Sequence, residues 1–368
     1  MMDQRDFETV HLIRKGISNI TNPFLKEMTH KNAYSLGETI TPIGIAFYVA
    51  PYVNAITRVG QKEEKRTLFE AMLNWKAYES IPSTKRGCKG QLETRVEQAV
   101  RNCTNVKSRQ TRLRDQSLEA IENLIKEQNL LQHKILLVKL DNIDINRNIS
   151  GLIANELMSK YQRPTLILSP IQKDNELAYE GSARGYDKSR LKDFRGLCIE
   201  SGYPYLAEGH SNAFGFGIKA KDCDTFIQWI DETLADVDFT PCYKVDFIYT
   251  SQNLNVNKFI LDIGNLNFLW GQNVEEALVA IEDIHVTKDN LTLMSRDKNP
   301  TLKITLPNGV ACIKFKSNEE EFESLFSESG CVVINIVGKC AINEYYGKIT
   351  PQILVENYDI IKRQEYYF

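Results

Sequence analysis

The chain has 368 residues, enough for two or three domains at roughly 100 to 200 residues each, which excludes a single small module. Hydrophobic residues make up 42% and charged residues 25%, a globular balance that excludes wholesale disorder and fibrous repeats. Lys and Arg total 45 against 48 Asp and Glu, a net charge of −3, so any surface for a polyanion must be a local patch.

Residues 1–15, MMDQRDFETVHLIRK, mix both charge signs without an apolar core, unlike a secretory signal. The longest apolar runs, such as 43–49 and 135–140, fall far short of the ~20 residues of a membrane span, so no membrane association and a cytoplasmic location are expected. Eight scattered cysteines with no CxxC pair argue against a zinc knuckle and for reduced thiols.

In chain order, residues 7–80 read as helical and irregular. Segment 7–20 mixes apolar and basic positions, and 44–53 (GIAFYVAPYV) reads as a buried run ending in a loop. A helix resumes at 62–75, where Leu68, Phe69, Met72 and Leu73 repeat at helical spacing. From Gly90 to Leu131 there is no proline and no further glycine, and Leu113, Leu118, Ile121, Leu124, Ile125 and Leu131 fall near a 3.6-residue repeat. A long connecting helix is expected. Between Lys85 and Arg114 nine basic residues (Lys85, Arg86, Lys89, Arg95, Arg101, Lys107, Arg109, Arg112, Arg114) stand against Glu93 and Glu97. Such a bias makes either a solvated helix face or a contact to a phosphate backbone.

From Lys134 strands and helices alternate: strand 135–140, helix 149–161, strand 165–168, helix 188–201, strand 213–218, helix 224–235. That rhythm predicts an α/β domain. Beyond about residue 236 β-type runs dominate, at 243–250, 258–263, 279–286, 290–294, 302–306, 311–315, 331–337 and 349–356. Pro307-Asn308-Gly309 and Tyr346-Gly347 supply turn residues, and one helix, 319–326, interrupts. A five-stranded barrel with an inserted helix is the OB-fold arrangement, which binds single-stranded nucleic acid or packs as a scaffold.

Three strings carry chemistry. In 208–218 (EGHSNAFGFGI), glycines and small residues around His210 let a backbone approach a ligand and offer N–H donors to an anion; the bland alternative is a tight strand crossing. In 181–185 (GSARG), Ser182 and Arg184 point to one side if the segment is extended, a pair suited to phosphate, although such strings also arise by chance. In 51–58 (PYVNAITR), Asn54 and Arg58 share a helical face, or are merely a cap and a surface arginine.

The order and spacing of these strings resemble the RecJ-type single-strand DNA exonucleases of the DHH phosphoesterase superfamily. Asn54, Ala55 and Arg58 match the family's PRxNAAGR-like string, Gly181, Ser182 and Arg184 its GSxRS-like string, and Gly209, His210, Ala213 and Gly215 its GGHxxAxG string. Asn148 to Ala154, followed by Lys160-Tyr161-Gln162-Arg163-Pro164, is similar to the GxxA…KYxRP segment. Tyr52, Thr57, Gly185 and Glu208 depart from the family pattern. The resemblance implies an α/β substrate domain preceded by a long connecting helix and followed by a β-rich OB-fold-like barrel. Its boundaries would be a helical remnant of the catalytic domain at 1–83, the basic helix at 84–133, a DHH-associated domain at 134–237 and the barrel at 238–368. It implies 5′ to 3′ exonuclease chemistry in DNA repair or recombination, with Asn54, Arg58, Ser182, Arg184, Gly209 and His210 holding phosphate.

The family hydrolyses DNA with Mn²⁺ or Mg²⁺ held by aspartates and an Asp-His-His string. This chain has no such string, and its five histidines are isolated. Two-metal chemistry needs several carboxylates on one small surface, with ions ~3.5 to 4 Å apart. The resemblance therefore implies a C-terminal, substrate-binding part with no metal ligands of its own, inactive alone, with single-stranded DNA and a separately encoded DHH domain as partners. The rival expectation is a non-catalytic nucleic-acid-binding or scaffold protein of a replication or repair assembly; a third is a small-nucleotide phosphodiesterase of the same superfamily.

Overall fold

The computed structural model describes residues 3–37, 39–88, 90–253, 255–295, 299–345 and 347–365. Lys89 of the basic stretch and Tyr346 of the second turn lie outside them. The N-terminal part is helical: α1 (Phe7–Ser18), α2 (Pro23–Lys31), α3 (Ala33–Leu36), α4 (Pro42–Tyr48), α5 (Ala50–Val59) and α6 (Lys62–Ala71). The expected buried run at 44–53 is corrected by this order. No residue of α4 is buried, and Pro51 starts α5, where its missing N–H would be unpaired in any case.

A short antiparallel pair, β1 (Ser80–Pro82) and β2 (Leu92–Thr94), leads into α7 (Arg95–Glu127), 33 residues and ~50 Å long. A capping box starts α7: Thr94 Oγ1 accepts from Glu97 N at 3.2 Å, and Thr94 N donates to Glu97 Oε2 at 2.7 Å. Its buried stripe Val96, Ala99, Val100, Cys103, Val106, Gln110 steps by three and four along one face, which packs against α2, α5 and α6. Burial pushes the Cys103 thiol up to about 12.

A five-stranded sheet follows, built from β3 (Leu136–Lys139), α8 (Ser150–Tyr161), β4 (Thr165–Lys173), β5 (Glu176–Arg184), α9 (Phe194–Glu200), β6 (Leu206–His210), β7 (Ala213–Lys219) and α10 (Cys223–Thr233). The strand order is β3-β4-β5-β7-β6; only β3 and β4 run parallel. The alternating rhythm thus yields a mixed sheet, because β4 turns straight back into β5 through Asp174 and Asn175 at φ 49° and 63°. Helix 188–201 shortens to α9, where Asp193 Oδ1 accepts from Gly196 N at 2.8 Å. One face of the sheet (Leu136, Val138, Ile167) packs on Ile149, Ile153 and Leu157 of the α8 segment and on Ile121 and Ile125 of α7. The other face (Leu166, Leu168, Ala183, Phe214, Phe216) packs on Phe194, Phe226 and Ile230.

The C-terminal elements are β8 (Phe247–Thr250), α11 (Val256–Gly264), β9 (Leu278–Val286), β10 (Leu291–Met294), β11 (Thr301–Thr305), β12 (Ala311–Phe315), α12 (Glu319–Leu325), β13 (Gly330–Tyr345) and β14 (Lys348–Glu365). Their sheet has the order β10-β11-β12-β14-β13-β9-β8. Among the described residues the edges β8 and β10 do not pair, so the expected barrel is an open sheet of seven strands. The strand expected at 258–263 is α11. Val256, Ile260 and Gly264 are buried at four-residue steps, a helical period that a short apolar run hides. The chain divides into two compact units: Met1–Ile20, Leu36–Ala46 and Tyr243–Phe368 form one, Thr21–Ser35 and Phe47–Cys242 the other.

Candidate phosphate-binding site

The site lies within the second unit, around the start of α8. The 3₁₀ turn Arg147–Ile149, in which Asn146 Oδ1 accepts from Asn148 N at 3.0 Å, runs straight into α8, and Ser150 N donates to Arg147 O; no side chain caps the first turn of α8 itself, and the positive end of its dipole lies here. Ser182 and Arg184, two residues apart on β5, share one sheet face. It is the α8 face, because Ser182 pairs in register with Ile167, a member of the α8 core. Both side chains therefore emerge beside the first turn of α8. Ser182 Oγ lies 2.9 Å from Ser150 Oγ, and Ser150 Oγ donates to Arg147 O at 2.9 Å. Because the Ser150 proton goes to Arg147 O, Ser182 must donate to Ser150 Oγ, and that one proton is the one a bound acceptor would redirect.

Gly151 makes room for the arginine. A Cβ built there would stand 2.5 Å from Arg184 Nη2 and 3.4 Å from Ser182 Oγ. Arg184 Nη1 donates to Ala183 O at 2.7 Å, and the guanidinium has no carboxylate partner among the described residues. Burial lowers its proton affinity, and the Arg58 guanidinium lowers it further. Two guanidiniums in mutual repulsion with no intervening carboxylate form a field that an anion relieves.

Arg58 comes from α5. Asn148 Nδ2 donates to Arg58 O at 3.0 Å, tying the end of α5 to the turn before α8. Asn54 lies one turn earlier on α5, exposed, and makes no side-chain hydrogen bond to another candidate residue. The register places Arg184, Ala213 and His210 in one row across β5, β7 and β6, and Ser182, Gly215 and Glu208 in the next. His210 is thus on the same face as Arg184, two strands or ~10 Å away, and exposed. Ala213 and Gly215 leave the floor between them low. Glu208 adds a carboxylate at its outer edge. Gly209 has φ 140°, and a Cβ there would meet Ala213 O at 2.7 Å, so this bend needs glycine.

Asn212 fixes the end of the floor. Its backbone O accepts from Gly185 N at 3.0 Å, its Oδ1 accepts from Phe194 N at 3.3 Å, and its Nδ2 donates to Lys192 O at 3.0 Å. Arg195 N donates to Ser211 O at 2.9 Å, and the buried Arg195 Nε has no acceptor. The sequence reading brought out Ser182, Arg184 and His210, and Lys107 only as one of nine basic residues, but assigned no role to Ser150, Gly151 or Arg195.

The basic face of α7 is largely internal. Among the described residues Arg95 pairs with Glu70 and, at 2.6 Å, Glu79. Arg101 pairs with Glu93, Arg109 with Glu64 at 2.7 Å, and Arg114 with Asp115 at 2.7 Å and Glu156 at 3.4 Å. A continuous cationic track along the helix is therefore absent from these four arginines. No group of three or more His, Cys, Asp or Glu among the described residues is arranged to hold a metal ion. No helix among them is long and apolar enough to cross a membrane.

No protein-family model matches the chain. It is 33% identical over 368 residues to a SPβ prophage-derived protein of Bacillus subtilis strain 168, YorK, named as a single-strand DNA-specific exonuclease, and equally to its counterpart in Bacillus phage SPβ. Each alignment covers 99% of this chain and 62% of the relative. The single-stranded-DNA-specific exonuclease RecJ of B. subtilis is 25% identical over 343 residues, 90% of this chain and 39% of RecJ. In fold the chain is similar to RecJ from Thermus thermophilus. The TM-score is 0.63 to its Mn²⁺ complex (14% identity, 95% of this chain, 46% of that one). To the Mg²⁺ complex it is 0.60 (15% identity, 94% and 48%). Relatives and structural neighbours alike are RecJ-like single-strand-specific exonucleases, and the chain spans less than two thirds of their length.

Proposed function

We propose that this chain is the substrate-binding portion of a RecJ-like 5′ to 3′ exonuclease and grips the 5′-phosphorylated end of single-stranded DNA. The observation that supports it most is the convergence of two guanidiniums, Arg58 and Arg184, neither with a carboxylate partner among the described residues, with Ser182 at the first turn of α8. Arginine offers a planar fork to phosphate oxygens, serine a neutral donor, and the start of α8 the positive end of its dipole. His210, exposed on the same sheet face, would meet the strand beyond the terminal phosphate. Gly209 lets its backbone come close there, and Asn54 would contact the strand from α5. The T. thermophilus relatives carry Mn²⁺ or Mg²⁺. The donor set described here does not fit such an ion, so these residues are assigned binding and no hydrolytic step.

The test is a 5′-phosphorylated oligodeoxynucleotide with Mn²⁺, reading binding and degradation on the same samples. Binding that weakens steeply with salt, falls at least tenfold in Arg184→Ala and leaves the oligomer intact is expected. Mn²⁺-dependent degradation abolished by Arg184→Ala would overturn the binding-only reading, and salt-insensitive binding would overturn the phosphate reading.

A further inference from the structure

We infer that α7 adds a second phosphate contact, made by Lys107 together with Gln110, so that the chain holds two successive phosphates of one strand. This rests on the phosphate reading of Arg58, Ser182 and Arg184.

Gln110 belongs to the α7 stripe that faces α5 and is 3% exposed. Its Oε1 accepts from Lys107 Nζ at 3.2 Å, while its Nε2 is buried with no acceptor. An amide donor kept in the interior without a partner is a poor structural choice and a good waiting one. Lys107 is half-buried and, among the described residues, bonds to Gln110 alone.

Local carboxylates are already used: Glu64 by Arg109, Asp115 and Glu156 by Arg114. Among the described residues Lys107 makes no bond to the end of α5 either, and most carbonyls there are taken. Ile56 O accepts from Gly60 N, Arg58 O from Asn148, and Val59 O from Arg109. Burial and the nearby Arg114 and Arg58 all lower the proton affinity of Lys107, and Arg58 does the same to Arg184. The geometry agrees: Arg109, next to Gln110, donates to Val59 O at 3.1 Å, next to Arg58, so this turn of α7 lies at the end of α5 that carries Arg58. An ammonium and an amide N–H with no anion between them among the described residues, beside a site for a terminal phosphate, match the next phosphodiester of the same strand.

The experiment compares thymidine 5′-monophosphate with the 5′-phosphorylated dinucleotide pTpT as competitors of a labelled oligomer, using the full chain. The dinucleotide should compete at least tenfold better on the wild type. Lys107→Met should lose at least fivefold of that preference while leaving the mononucleotide unchanged, and should reduce the salt dependence of oligomer binding by about one phosphate contact. Lys107→Arg should retain the preference. Gln110→Glu, which neutralises Lys107 without truncation, should lose it, giving an independent arm should the methionine variant misfold. A preference unchanged in Lys107→Met or Gln110→Glu would overturn the second contact alone. Absence of competition by either nucleotide on the wild type would overturn the first site and this inference with it.

Discussion

Gly151 and Arg184 form a fit in which one missing methyl group decides where a charge sits. A Cβ at 151 would stand 2.5 Å from Nη2, so Gly151→Ala must displace the guanidinium. Alanine is the better helix former by up to about 1 kcal/mol, and the helix itself should not suffer. The expected outcome is a loss of roughly tenfold or more in affinity for a 5′-phosphorylated oligomer, equivalent to about 1.4 kcal/mol, with no fall in melting temperature. Equal affinity, or unfolding, would show that the space at 151 does not serve the arginine. At this scale the sequence was readable where the partners are close along the chain. Ser182 and Arg184 share a face because a strand alternates, and that needs no knowledge of the rest. Ser150 and Gly151 lie more than thirty positions from their partners, and Lys107 acquires meaning only from Gln110 and from Arg58 across two packed helices, contacts that only folding creates.

The helix α7 shows what charge counting does and does not reveal. Its existence was legible from the long stretch without proline or internal glycine, and the box between Thr94 and Glu97 marks its start. Its basic excess was legible too, but the partners were not, because Glu64, Glu70 and Glu156 come from other elements. Another anchor of this helix, Glu93 on β2, has a pH signature. Hydrogen bonding by Arg101, ahead of those from Gln98 and Thr84, holds Glu93 at about 2, against an ordinary value of 4.5. Because the folded value lies below the unfolded one, the carboxylate's stabilisation is complete above about pH 4.5 and is lost as the pH falls toward 2. Acid titration of the unfolding midpoint should show this loss, and Glu93→Gln should remove it while destabilising the fold at pH 7 by about 3 kcal/mol. An acid limb identical in the variant would rule out Glu93 as its source. The helix α11 is the converse case: the apolar positions Phe259, Ile260, Leu261 and Ile263 looked like a strand, and only the burial of Val256, Ile260 and Gly264 on one face shows the longer period.

At the scale of the molecule, the α/β and β-rich halves were legible from the density of strands and turns, whereas sheet topology was not. Strand periodicity says nothing of partners, and β8 pairs with β9 and β12 with β14 in parallel through long connections. The hairpin at Asp174 and Asn175 likewise made a mixed sheet of an apparent βαβ series. The donor set makes a further whole-molecule prediction. A folded chain that binds an ion is stabilised by it; with no metal-holding group among the described residues, millimolar Mn²⁺ should leave the melting temperature within a degree of that in EDTA. A rise of several degrees would reveal ligands that the described residues do not contain.

The division into units has a consequence in time. One unit takes Met1–Ile20, Leu36–Ala46 and Tyr243–Phe368, so the polypeptide passes from one unit to the other four times. Gln4 N donates to Gln272 O, and Arg14 lies 4.2 Å over the Phe268 ring; both join segments more than 250 positions apart in the chain. At ~5 to 20 residues per second, α1 leaves the ribosome some tens of seconds before the segment that receives it. Through that interval Gln4 and Arg14 lack the partners that hold them in the folded chain. This unit can therefore close only once residues 243–368 have been made, and α1 waits for them.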